Sequence, residues 1–199
     1  MPRIGLSTEA VVSEAIRLAD EVGFHRVTLT ELAKRFGVAQ PSLYKHINGL
    51  DELQRLLALR MFHELGSTLR KAATGKSGSD ALHAAAHAYR AMALSHPGCY
   101  EAILRAPKPN DDDAATAVQE VLSILYEIFL GYDIQGDDAI DAARYLRSTL
   151  HGFVSLELAR GFAMPRPIDI SFERLTTAID TTLRDWKAGY PAMITPSDR

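Results

Sequence analysis

The chain has 199 residues, 47% of them apolar and 24% charged, with one cysteine and a net charge of −3 at neutral pH. That length suffices for one well-buried core, or for a small head joined to a larger body. The balance of charge excludes a polycation that would hold nucleic acid by charge alone. No apolar run approaches the roughly 20 residues needed to cross a bilayer, so no membrane span is expected.

Met1-Pro2-Arg3-Ile4-Gly5-Leu6-Ser7 lacks the apolar stretch of a secretory signal, and Cys99 can form no internal disulfide, so a reducing cytoplasm is the expected location. Ser7 or Thr8 can cap a first helix in which Val11, Ala15, Leu18, Ala19 and Val22 recur at helical spacing, and Gly23 ends it. Thr28-Leu29-Thr30-Glu31 is written as a capping box, in which hydroxyl and carboxylate each satisfy an orphan amide of the other residue. The second helix runs through Phe36 and stops at Gly37. Pro41 then sits in the first turn of a third helix, where a missing amide hydrogen costs little, and that helix reaches about His46.

Asn48 is the expected cap of a fourth helix from Leu50 to about Ala72, with Asp51 and Glu52 suited to its first turn. Thr74-Gly75-Lys76-Ser77-Gly78-Ser79 reads as a flexible polar linker. Beyond it, Asp80 caps a helix to Ser95 and His96-Pro97-Gly98 breaks it. A short helix from Cys99, one from the Asp111–Asp113 cluster to about Tyr132, one from Asp137 or Asp138 to Gly161, and a last from about Ser171 to Ala188 complete the chain. No alternating strand pattern of useful length is present, so the expected class is all-α with about nine helices. The expected domains are an N-terminal head 1–49, a connecting helix 50–73, a C-terminal domain 80–190 and a tail 191–199.

Two short helices joined by a glycine turn make a helix-turn-helix. Leu32, Ala33, Phe36, Val38, Leu43 and Ile47 supply its inner side, and the other side of the third helix presents Gln40, Pro41, Ser42, Tyr44, Lys45 and His46. Those side chains can donate to phosphates or touch base edges, and a helix of this bulk fits a major groove. Charge agrees in sign: residues 1–60 hold eight Lys/Arg against seven Asp/Glu, the remainder fourteen against eighteen. A bland reading, a three-helix module with polar residues facing water, fits the coincidence of box, turn, proline and aromatic-basic side less well.

The run Gly37-Val38-Ala39-Gln40-Pro41-Ser42-Leu43-Tyr44-Lys45-His46-Ile47, within about Ser7–Leu65, resembles the tetracycline-repressor (TetR) family of regulators. The resemblance implies that Gln40, Pro41 and Tyr44 lie against bases, that Ser42, Tyr44 and His46 hold phosphates, and that Thr28 and Thr30 meet the backbone, with contact to one base also open to them. Thr30 stands where the family's namesake has a guanine-reading arginine, so a different operator is expected; Leu50 stands where a phosphate-gripping lysine is usual, so either weaker binding or a shift of that role to Lys45 is expected.

Residues 137–190 resemble a WHG-like C-terminal type of the family through His151-Gly152-Phe153 and Phe172-Glu173-Arg174, with Leu150 in place of the usual tryptophan. The resemblance implies a homodimer, a pseudo-palindromic double-stranded DNA operator and a small-molecule effector in the C-terminal domain. Helix 138–160 is too apolar for a solvated face, which agrees with dimerisation. Met92, Tyr100, Ile103, Leu104, Tyr126, Phe129, Tyr145, His151 and Phe153 mix aromatic bodies with polar tips, as an effector pocket needs; any one of them taken singly reads better as core, and it is the family resemblance that makes the set a pocket.

No cofactor is expected and no metal is assigned. His83 and His87 share a helical face, with His96 and Cys99 following, but no second cysteine or carboxylate completes a ligand set. An enzyme is not expected either: there is no glycine-rich phosphate loop or nucleophile elbow, and Ser155 four residues from His151 is a helical spacing, not a triad. The remaining alternative is a head that binds protein instead of DNA.

Overall fold

The computed structural model describes residues 6–104 and 108–186. Among them are seven α-helices and three short 3-10 helices, and no strand. The α-helices are α1 (Thr8–Val22), α2 (Leu29–Phe36), α3 (Leu50–Ala73), α4 (Gly78–Ser95), α5 (Asp112–Leu130), α6 (Asp137–Leu158) and α7 (Ile168–Arg184). The 3-10 helices are Phe24–Arg26, Gln40–Lys45 and Tyr100–Ile103. Two compact units divide the chain: residues up to 69 with 89–121, and residues 70–88 with those from 122 onward.

In the first unit α1 buries Val11, Ala15, Leu18 and Ala19, the stripe its sequence spacing predicts, and Ser7 caps it by accepting from Ala10 N at 3.1 Å. Arg35 of α2 reaches Glu14 of α1 at 3.1 Å and also pairs with Glu21, which fixes α2 against α1. Leu53, Leu57 and Met61 bury one stripe of α3 completely. The Arg55 guanidinium grips Asp111 at 2.6 and 2.7 Å, ahead of α5, and holds that carboxyl below the usual carboxylate range. Asp111 also accepts from Ala114 N at 3.2 Å, satisfying an orphan donor of the first turn of α5.

In the second unit α6 packs on α7, burying Leu146, Leu150 and Val154 of one and Phe172, Ile179 and Leu183 of the other. Tyr132 donates to Asp180 at 2.6 Å, and Arg184 reaches the same carboxylate at 3.0 Å. Gly78 and Gly131 touch backbone to backbone: a Cβ on Gly131 would lie 2.6 Å from Gly78 N.

Five local expectations are corrected. Helix α4 begins at Gly78, so Asp80 lies within its first turn and is not its cap, and the connecting segment ends at Ser77. The third helix is 3-10 over Gln40–Lys45, with Ser42 N bonded to Ala39 O and His46 N to Leu43 O at 2.9 Å each; six residues beginning beside a proline are too few for a settled α-helical ladder. Gly49, not Asn48, occupies the cap of α3, because its φ of 118° excludes a side chain and its carbonyl takes the first helical bond, from Leu53 N. Helix α6 stops at Leu158 and not Gly161: Arg160 takes the left-handed turn at φ 55°, and Gly161 N bonds back to Leu156 O at 2.7 Å. Helix α7 begins at Ile168, three residues before Ser171, because Pro167 supplies a carbonyl for Ile170 N at 3.2 Å. The expected reach of the last helix to Ala188 and the tail 191–199 lie outside the described residues.

Candidate nucleic-acid interface

Turn chemistry sets the angle between α2 and the third helix. Thr28 Oγ1 accepts from Glu31 N at 3.2 Å, which is half of the expected capping box. The Glu31 carboxylate does not return the bond; it faces Lys34 Nζ one turn on, at 3.4 Å. At the other end Gly37 is left-handed (φ 65°), with Gly37 N bonded to Lys34 O and Val38 N to Ala33 O at 3.0 Å each. This closes α2 in a Schellman turn and redirects the chain into Gln40–Lys45.

Leu43 and Ile47 are buried beneath the third helix together with Leu32, Ala33 and Leu29 of α2. The opposite side is open. Tyr44 is 51% exposed, Pro41 and Lys45 are exposed, and Gln40, Ser42 and His46 are half-buried. Thr28 and Thr30, at the start of α2, are exposed as well. Thr30 Oγ1 donates to Gln40 Oε1 at 3.0 Å, and Gln40 Nε2 donates to Tyr44 Oη at 3.3 Å, so three of the eight predicted side chains form one chain of hydrogen bonds across the turn. The amide of Gln40 is thereby held in one orientation while Tyr44 stands outward.

Thr8, expected only as a possible cap of the first helix, completes the scaffold. Thr8 Oγ1 donates to His46 O at 2.8 Å, tying the first turn of α1 to the end of the third helix across 38 positions. No local pattern announces such a bond, because Thr8 is equally suited to capping its own helix.

The predicted effector residues fall in both units. In the first, Met92, Tyr100 and Ile103 are buried and Leu104 is half-buried, with Tyr100 and Tyr89 hydroxyls 2.7 Å apart. In the second, Phe129 is fully buried, and Tyr126, Tyr145, His151 and Phe153 are half-buried. Phe153 stands 5.2 Å from the Phe172 ring, and Ser155 Oγ is 3.1 Å from His151 Nδ1. Burial, then the charge of Arg147, holds His151 below the ordinary histidine range. A separate cavity of about 510 Å³ in the first unit, lined by Phe24, Arg55, Phe62, Ala102 and Asp111 among others, includes none of the nine.

His87 pairs with Glu173 at 3.0 Å, and His96 with Asp20 at 2.9 Å. Among the described residues no group of three or more His, Cys, Asp or Glu could hold a metal ion. Cys99 is fully buried; burial, then the charges of Asp20 and Glu64, push its thiol up to about 12, so it carries no thiolate near neutral pH.

Residues 11–53 match the family described as "Bacterial regulatory proteins, tetR family", and residues 82–179 match "Tetracyclin repressor-like, C-terminal domain". The HTH-type transcriptional regulator YobS of Bacillus subtilis (strain 168) is 35% identical over 92% of this chain and 93% of its own. The chain belongs to the TetR family. The HTH-type transcriptional regulator Rv0681 of Mycobacterium tuberculosis (strain ATCC 25618 / H37Rv) is 34% identical over 77% of this chain and 71% of its own. In fold the TetR architecture extends to BioQ, solved with its double-stranded DNA operator: TM-score 0.63 at 21% identity, covering 88% of this chain and 98% of that one. As a TetR-family member the protein is a DNA-binding transcriptional regulator, and no helix among its described residues is long and apolar enough to cross a membrane.

Proposed function

We propose that the protein is a cytoplasmic homodimeric repressor that is not an enzyme, and that it reads a pseudo-palindromic operator until a small molecule in the C-terminal domain releases it. The observation that carries the reading is the ridge Gln40–His46: polar and aromatic groups outward, Leu43 and Ile47 fully packed beneath, and the Thr30–Gln40–Tyr44 chain fixing its side chains before any DNA arrives. Groups ordered in advance lose little entropy on docking. Gln40, Pro41 and Tyr44 take the base edges, while Thr28, Thr30, Ser42, Lys45 and His46 take sugar and phosphate.

Dimerisation is assigned to α6 and α7. Both are otherwise packed on each other, yet α6 leaves Leu156 50% exposed, and α7 leaves Ile170 at 43%. Two copies pairing these helices would remove that apolar surface from water and set two heads roughly 34–36 Å apart, one DNA turn. The effector acts by preferring a dimer whose heads are misplaced, since equal affinity for both states would shift nothing. Its lining is drawn from the nine residues above.

An electrophoretic shift with the intergenic DNA upstream of the protein's own gene tests the reading. Retardation at low salt by the wild-type dimer, abolished by Tyr44→Ala with the dimer intact, is the expected result. A dimer that leaves this DNA unretarded overturns it. The protein-binding alternative predicts that Tyr44→Ala and Lys45→Ala leave DNA mobility unchanged.

A further inference from the structure

Gly98 presses on the backbone of α1. A Cβ on it would lie 1.7 Å from Ala19 O, 2.3 Å from Ala19 C and 2.7 Å from Asp20 Cα. Both sides of this contact are main chain, so no rotamer change could relieve a larger residue. Asp20, near the end of α1, devotes its carboxylate to the same corner: Oδ1 accepts from Gly98 N at 3.0 Å and Cys99 N at 3.2 Å, and Oδ2 faces His96 Nδ1 at 2.9 Å. The other nitrogen of that ring, Nε2, faces Glu64 of α3 at 3.2 Å. Cys99, beneath the corner, points its Sγ at Ile16 O of α1 at 3.7 Å. One ring and two carboxylates therefore join α1, α3 and the turn between α4 and the Tyr100–Ile103 helix.

The two neighbours of this joint give it meaning. At its far end α1 holds the third helix, through Thr8 Oγ1 and His46 O. Immediately after the corner come Tyr100 and Ile103, both among the predicted effector residues. We infer that Asp20 is a positioning residue for operator binding: through His96, Gly98 and Cys99 it latches α1, and with it the reading ridge, to the corner, so that a displacement of the Tyr100–Ile103 helix is carried to the head. The inference rests on the effector-controlled reading proposed above and specifies where its control passes. A latch contributes nothing to contact between one head and its half-site. It fixes where each head stands, which matters only when two half-sites must be met together.

Cys99 is the chain's one cysteine and fully buried under the corner, so it reports latch opening without any DNA. Gly98→Ala wedges the corner, and His96→Gln removes the bridge to Glu64; both leave the Asp20 and Glu64 carboxylates in place, so neither variant removes their charge from beside the thiol. Each is expected to raise the rate of labelling by 5,5′-dithiobis(2-nitrobenzoic acid) about tenfold, as a local opening would. Val154→Ala, a buried substitution in the other unit, is expected to leave the rate near wild type. Unchanged labelling in both corner variants overturns the latch, and so does equal acceleration by Val154→Ala, which would mean global unfolding.

The second arm compares the duplex that the wild-type dimer shifts with one in which half of the palindrome is scrambled. Asp20→Asn and His96→Gln should lose about tenfold in affinity on the intact duplex and less than about twofold on the scrambled one. Equal losses on both duplexes contradict a positioning role. If wild type shifts neither duplex, the functional reading fails instead, while the labelling result still decides whether the latch exists.

Discussion

Tyr44 and Lys45 are the side chains on which the sequence and the structure agree most directly. Both project from a helix whose other side is completely packed, so neither contributes to the core that shapes it. Lys45→Ala should therefore leave the unfolding midpoint unchanged, weaken binding to all duplexes similarly, and lower the slope of log affinity against log salt by about 0.9 through loss of one phosphate contact. Titration at several salt concentrations checks this. His151 behaves oppositely, being coupled to folding through its proton. Its imidazole is held below the ordinary range by burial and by Arg147. In mild acid the unfolded chain takes up a proton that the folded ring still refuses, so this contribution is whole above the ordinary histidine range and is lost as pH falls through it. His151→Asn should accordingly lose less melting temperature than wild type between about pH 7 and pH 5.

At the scale of the element, helix interiors were legible because their apolar stripes recur at 3.6 residues, and α1 buries the predicted residues. The ends were less so. Asn48 has cap chemistry, but the turn needed a φ that only Gly49 adopts readily, and a backbone angle leaves no trace in a side-chain pattern. Gly161 looked like the end of α6, yet the left-handed position fell one residue earlier, on Arg160. That placement gives a test: Arg160→Gly relieves an L-residue of a conformation costing about 1 kcal/mol and should raise stability by a similar amount, read as a higher urea midpoint at unchanged slope. The candidate interface was mostly legible for a related reason. Box, glycine turn and proline are local signals, and all eight predicted residues lie at or beside one turn. The Thr8–His46 bond and the Asp20 corner were not, because they join residues 38 and more apart in sequence whose types are unremarkable where they stand.

Release from a pseudo-palindromic operator needs two heads and a means of moving them. The apolar side chains left exposed on α6 and α7 are the proposed pairing surface. Leu156→Glu would place a charge there without touching the buried side of α6, where Val154 and Leu150 lie. Sedimentation velocity should show the wild type as a dimer and this variant as a folded monomer, with operator affinity reduced at least about tenfold because one head alone must bind. A variant that remains dimeric would move the interface elsewhere on the surface.

Hydroxyl-radical footprinting of the wild-type protein on its own upstream DNA, beside Tyr44→Ala, bears most directly on the ridge as the reading surface. Two protected blocks about one helical turn apart, both lost in Tyr44→Ala while the dimer persists, are the predicted result. Protection that survives unchanged in Tyr44→Ala would contradict it, because the DNA would then be held by some other face of the protein.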